Sequence, residues 1–262
     1  MIVTPELAYA QARIQARFAA LPAEQEWRRL AASRTLASFL EEARAGPLRD
    51  WVKGFSDQSD AHDLEAGLRF LYREILDAVV GWVPEAWREA VSWVRWLTLL
   101  PLLAHLRTGG AMPVWVAQDP GLRTLLDEGG GSESGAHSEA RVQRLLQAGA
   151  GEVTVWVDEW HRSWPACNRA ISLDLVSLEV LLMDHARTFG RVAPASAWSL
   201  REELRKGLCL RLHRRTLQPA VPFIYLALTA LDLERLRAAL VGRALFADRE
   251  VARGAAVGGG ST

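Results

Sequence analysis

The chain has 262 residues, of which half are hydrophobic and 24% charged. That length permits one large or two smaller domains with a stable core. Thirty-one basic and 31 acidic side chains cancel, so there is no global positive excess to draw nucleic acid and no acidic excess to keep the chain solvated and unfolded. Two cysteines, Cys167 and Cys209, are too few for a disulfide framework and fit a reducing compartment.

The first ten residues lack the basic start and apolar core of a signal peptide. A first helix is expected from Pro5, with Thr4 as its cap and Leu7, Ala10, Ile14 and Phe18 on one side. Arg13 and Arg17 lie four apart on an adjoining strip. Leu21-Pro22 ends this pattern. A second helix is expected over Glu24 to Ala32 and a third over Thr35 to Ala45, closed by Gly46-Pro47. Ser59 or Asp60 is placed to cap the next helix, whose apolar face runs Leu64, Leu68, Leu71, Ile75, Leu76 and Val79. Pro84 suits the start of another, and Pro101 should kink or end it. The run Trp96 to Ala104 is the most apolar in the chain. It has nine residues, against the roughly 20 a bilayer span needs, so no membrane span is expected.

Met112 to Gly121 reads as irregular or briefly extended, followed by a short helical turn at Leu122, Leu125 and Leu126. Gly129 to His137 reads as a flexible linker. It suggests an N-terminal part over 1–128, a C-terminal part over 138–251 and a disordered tail over 252–262. Ser138 to Ala148 reads as a helix with Arg141 and Arg144 exposed. Val153 to Trp160 has both strand and helix character, and Trp156, Trp160 and Trp164, spaced four apart, favour the helix. Asn168 to Phe189 continues helical with Ile171, Leu175, Leu178, Leu182 and Ala186 inward. Ser199 with Glu202 three residues on reads as a capping box for the next helix. In the last, Leu226, Ala230, Leu233, Leu236 and Leu240 form one stripe, while Asp232, Arg235 and Arg243 are expected on a charged outer face. No convincing strand alternation appears. The fold class expected is all-α, a multi-lobed bundle of short helices. Most of the eleven tryptophans are expected to serve packing, with a concentrated binding cluster as the alternative.

Motifs for chemistry are thin. His161 and Cys167 are six apart, without the two close ligand pairs of a structural zinc site. The glycine-rich segments lack the phosphate-binding fingerprints, and no serine or cysteine carries a nucleophile signature. Arg205, Lys206, Arg211, Arg214 and Arg215 crowd one segment, but Glu202 and Glu203 dilute the field, so an acidic protein partner accounts for them as well as nucleic acid does. No cofactor and no metal are expected. What remains is a helical body that contacts other proteins.

Two stretches narrow this. Tyr9 to Gly46, through Tyr9, Ala12, Arg13, Ile14, Arg17, Leu30, Leu36 and Leu40, resembles the opening of the C/d-subunit family of V-type and archaeal-type ATPases. Phe223 to Phe246, through Tyr225, Leu233, Glu234, Leu236, Arg237, Val241, Gly242 and Arg243, resembles that family's closing helix. The resemblance covers the two ends, roughly 60 residues in all. It implies a non-catalytic, funnel-shaped helical protein with two or three related lobes, peripheral on the cytoplasmic side of the membrane. Its partners would be the central-stalk subunits and the membrane c-ring, which it would couple for ATP-linked proton or sodium transport. The chain departs from the family in being shorter, in Arg243 replacing the usual lysine, and in its tryptophan-rich middle. Arg13, Arg17, Arg211, Arg214, Arg215, Asp232, Arg237 and Arg243 are the expected partner-binding residues. A helical scaffold or adaptor with unrelated partners, and an enzyme with an unrecognised site, stand as alternatives.

Overall fold

A computed structural model describes residues 5–112, 116 and 136–258. Among them all regular structure is helical, as the periodicities predict. The elements are α1 (Pro5–Ala19), α2 (Glu24–Ala31), α3 (Leu36–Arg44), α4 (Arg49–Val52), α5 (Ala61–Trp82), α6 (Glu85–Trp93), α7 (Leu100–Arg107), α8 (Ala136–Gln147), α9 (Glu152–Arg162), α10 (Arg169–Phe189), α11 (Ala197–Arg214) and α12 (Ala220–Gly258). No described helix is long and apolar enough to cross a membrane.

Local chemistry sets several starts. The Thr35 side chain accepts from the Ser38 N–H at 3.2 Å. Asp60 and Asp63 form a reciprocal capping box at 2.8 and 3.4 Å. The Asn168 side chain accepts from the Ile171 N–H at 3.0 Å. Each satisfies a donor that the first helical turn leaves free.

Other boundaries differ from expectation. Ser199 does not cap α11: a 3-10 turn over Pro194–Ser196 leads into the helix ahead of it, and the Ser199 hydroxyl donates back to the Ser196 carbonyl at 2.8 Å. Pro101 opens α7 rather than ending α6, whose α geometry gives way to a 3-10 stretch at Val94–Leu99. A first turn tolerates proline because its N–H has no helical partner there.

The chain divides into two compact units, Met1–Pro84 with Cys167–Thr262, and Glu85–Ala166. This differs from the linear division expected at 129–137. Residues 129–135 of that linker lie outside the described residues, as does the turn at Leu122 to Leu126, while 136 and 137 begin α8. The first unit joins the two chain ends because α12 packs against α5, α11, α1, α3 and α10. Its core gathers Trp27, Leu30, Phe39, Leu40 and Leu64 around Leu233, Leu236 and Leu240 of α12. Backbone helix continues through 252–258, where the glycine- and alanine-rich composition predicts disorder. Between α11 and α12, Leu217 takes a left-handed φ of 58°, and its N–H donates to the buried Gln11 side chain of α1 at 3.1 Å. A leucine in that conformation is strained, so this bond pins the turn to α1.

Candidate interaction surface

Because α12 packs against five helices, several of its charged residues pair with neighbouring helices, although Glu234 and Arg237 remain exposed. Asp232, expected on an outer face, is 1% exposed. Its carboxylate accepts from Arg205 of α11, Nε at 3.3 Å and Nη2 at 3.2 Å. Burial pushes its pKa up, and the Arg205 guanidinium opposes without cancelling this. Arg237 donates to Glu65 of α5 at 2.6 Å. Arg243 donates to the carbonyls of Ser33 at 2.7 Å and Ala239 at 2.7 Å, and lies over the Phe39 ring. Arg235 forms a bidentate pair with Glu24 of α2 at 2.6 and 3.1 Å, which holds the Glu24 carboxyl below its ordinary pKa.

Arg235 also belongs to a ladder. Phe189, Arg201, Trp198, Arg235 and Trp27 alternate aromatic ring and guanidinium, with spacings of 4.7, 5.6, 5.2 and 4.9 Å. It ties α10, α11, α12 and α2 together by cation–π contact.

The remaining expected partner-binding residues lie on α1 and at the end of α11. Arg13 covers the Trp82 ring at 5.3 Å, and Arg17 is exposed. Arg211 donates to the Ser177 hydroxyl at 3.0 Å, Arg215 pairs with Asp174 at 2.9 Å, and Arg214 is exposed. Asp232 and Arg243 therefore act within the first unit, Arg237 pairs with Glu65 while staying exposed, and Arg17 and Arg214 are exposed as well. Of the residues that carry the family resemblance, Ile14, Leu30, Leu36, Leu40, Tyr225, Leu233 and Leu236 are buried, and Tyr9 is exposed.

The second unit has its own centre. Glu159 of α9 is 1% exposed. Its carboxylate accepts from Arg141 Nε at 3.0 Å, from Arg144 Nε at 2.8 Å and Nη2 at 3.0 Å, and from Arg162. Arg141, expected to be exposed, is buried: it also donates to the Glu159 carbonyl and to Glu89, and lies over the Trp93 ring at 4.1 Å. Burial alone would raise the Glu159 pKa, but hydrogen bonds and charge from Arg144, then the charges of Arg162 and Arg141, bring it below its ordinary value. Around this centre Trp156 stacks on Trp160 at 5.9 Å, Trp160 meets Trp164 edge-on at 4.9 Å, and the Trp93 N–H donates to the Trp156 carbonyl at 3.0 Å. Trp156 and Trp160 of α9, and Trp164 just beyond its end, thus mainly pack.

His161 lies against Trp164, ring centroids 4.5 Å apart, and the Cys167 thiol lies 3.2 Å from the Ser172 hydroxyl. Among the described residues no three His, Cys, Asp or Glu side chains gather in a way that could hold a metal ion. An open cleft is lined by Ala37, Leu40, Glu41, Arg44, Ser56 and Asp57 and brings together no convergent catalytic set.

An exposed apolar face on α10 goes beyond the sequence pattern described above. Leu173, Val176 and Val180 recur at steps of three and four on the side away from Leu175 and Leu178. The same helical spacing would have found them, but the inward stripe already accounted for the helix. Comparison with known protein families, curated proteins and solved structures finds no match.

Proposed function

We propose that the chain is a non-catalytic connector of a V/A-type rotary ATPase, lying between the central stalk and the membrane c-ring on the cytoplasmic side. One observation supports this reading: the two segments with the family resemblance, with residues 47–222 between them, fold against each other in one helical unit. Arg235 to Glu24, and Arg243 to the Ser33 and Leu30 carbonyls, span the join. A part that transmits torque needs such cross-bracing between helices, and a broad polar surface in preference to a deep pocket. Arg17 and Arg214 supply the exposed charge for contact.

The test is co-expression with the central-stalk and c-ring proteins of a V/A-type ATPase, followed by affinity purification. Stoichiometric co-elution with either supports the assignment. Recovery of the folded chain free of both overturns it. The exposed stripe on α10 favours a second reading, a helical scaffold with unrelated partners, which the same purification separates by the identity of what co-elutes.

A further inference from the structure

Helix α10 is apolar on two opposite sides. Leu175 and Leu178 are buried in the first unit, while Leu173, Val176 and Val180 are 56, 37 and 50% exposed. Arg169 and Asp184 continue the outer side, one towards each end, and both are exposed. We propose that this outer face docks on the same face of a second copy of the chain, the two α10 helices antiparallel about a two-fold axis between Val176 and Ser177.

The register follows from the sequence. A two-fold axis at that point exchanges Leu173 with Val180 and Arg169 with Asp184. Each Leu173 then meets Val180 of the second copy, the two Val176 side chains meet near the axis, and an Arg169–Asp184 pair closes each end. This is the isologous arrangement of a two-fold dimer. Parallel pairing in register would set Arg169 against Arg169 and Asp184 against Asp184, so the charges select the antiparallel form. Arg187 holds one Asp184 oxygen at 2.8 Å from the same helix, an exposed pair of little strength, which leaves the second oxygen for Arg169.

The size of the face sets the affinity. A helix of 21 residues is about 31 Å long and about 10 Å wide, so each copy offers about 300 Å² against the roughly 800 Å² per partner of a stable complex. Self-association is therefore weak and reversible. It is independent of the reading as a rotary-ATPase connector: failure to bind stalk or ring leaves it standing, and its own failure leaves that reading standing.

Sedimentation equilibrium across micromolar to near-millimolar protein tests it. Wild type is expected to shift towards dimer with concentration, and Val180→Glu to remain monomeric. Arg169→Asp and Asp184→Arg singly set like charges together and weaken the dimer about tenfold or more; the double exchange restores it. Both exchanges suit the helix dipole, an acid near the start and a base near the end, so the variants fold, which circular dichroism checks. A wild-type chain monomeric throughout, a dimer that survives Val180→Glu, or a charge exchange without recovery overturns the proposal.

Discussion

Each unit of the molecule buries one carboxylate against arginine, and the two titrate in opposite directions. Asp232 accepts from one guanidinium, that of Arg205, with the charge of Arg235 nearby, and burial still raises its pKa. Glu159 has three, Arg141, Arg144 and Arg162, and its pKa is lowered. Both side chains are 1% exposed, yet Asp232 lies deeper in the protein than Glu159, which is closer to the surface. Depth and the number of charged donors that answer the desolvation cost together set the sign. Glu159 is an anchor that the fold needs ionised, whereas Asp232 is an acid that the fold shifts towards neutrality.

The largest expected effect is at the anchor. Glu159→Gln leaves three guanidiniums without their shared charge, one of them the buried Arg141. The expected cost is about 3–5 kcal/mol, read as lost hydrogen-exchange protection in α8 and α9. In the wild type, the stabilising contribution of Glu159 is complete above its unfolded pKa of 4.5 and disappears as pH falls through the lower folded value. Acid should therefore loosen α8 and α9, and exchange corrected for its intrinsic pH dependence checks this. An intermediate effect is expected in the first unit. Trp198→Ala removes the middle rung of the ladder between Arg201 and Arg235, a loss of about 2 kcal/mol from two cation–π contacts and partial burial. Chemical denaturation measures it, and α8 and α9 should keep their protection.

Much of the helix pattern was legible because caps and periodicity are local. Asp60 reads as a candidate cap, and the helices expected from Thr35 and Asn168 begin at residues that the structure shows capping them. The partners of the charged groups were not legible, because they are distant in the chain: Asp232 meets Arg205, Arg235 meets Glu24, and Arg243 meets Ser33. A leucine stripe on α12 marks one buried side, yet the five helices packed against this element also cover Asp232 beyond that stripe, while Glu234 and Arg237 stay exposed. Arg141 misled for the same reason, since a flat guanidinium reads as surface until Trp93 and Glu159 arrive from other helices. The outer stripe of α10 needed only the periodicity rule applied a second time.

The smallest effect should come from Asp232→Asn, and it tests the comparison most directly. The amide keeps the shape of the carboxylate and removes a charge that burial already disfavours. Arg205, with its side chain 30% exposed, can turn to water. The variant should therefore lie within about 1 kcal/mol of wild type at neutral pH, in contrast to Glu159→Gln. Because the folded pKa of Asp232 lies above the unfolded 3.8, its favourable proton-linked contribution is present below that value and fades as pH rises through the folded pKa. The stability difference between Asp232→Asn and wild type should thus change on the high side of 3.8, whereas that for Glu159→Gln changes below 4.5. Equilibrium denaturation of both variants over a pH series measures the two windows. Equal costs at neutral pH would mean that one guanidinium compensates a buried carboxylate as fully as three, and the contrast between the two centres would fail.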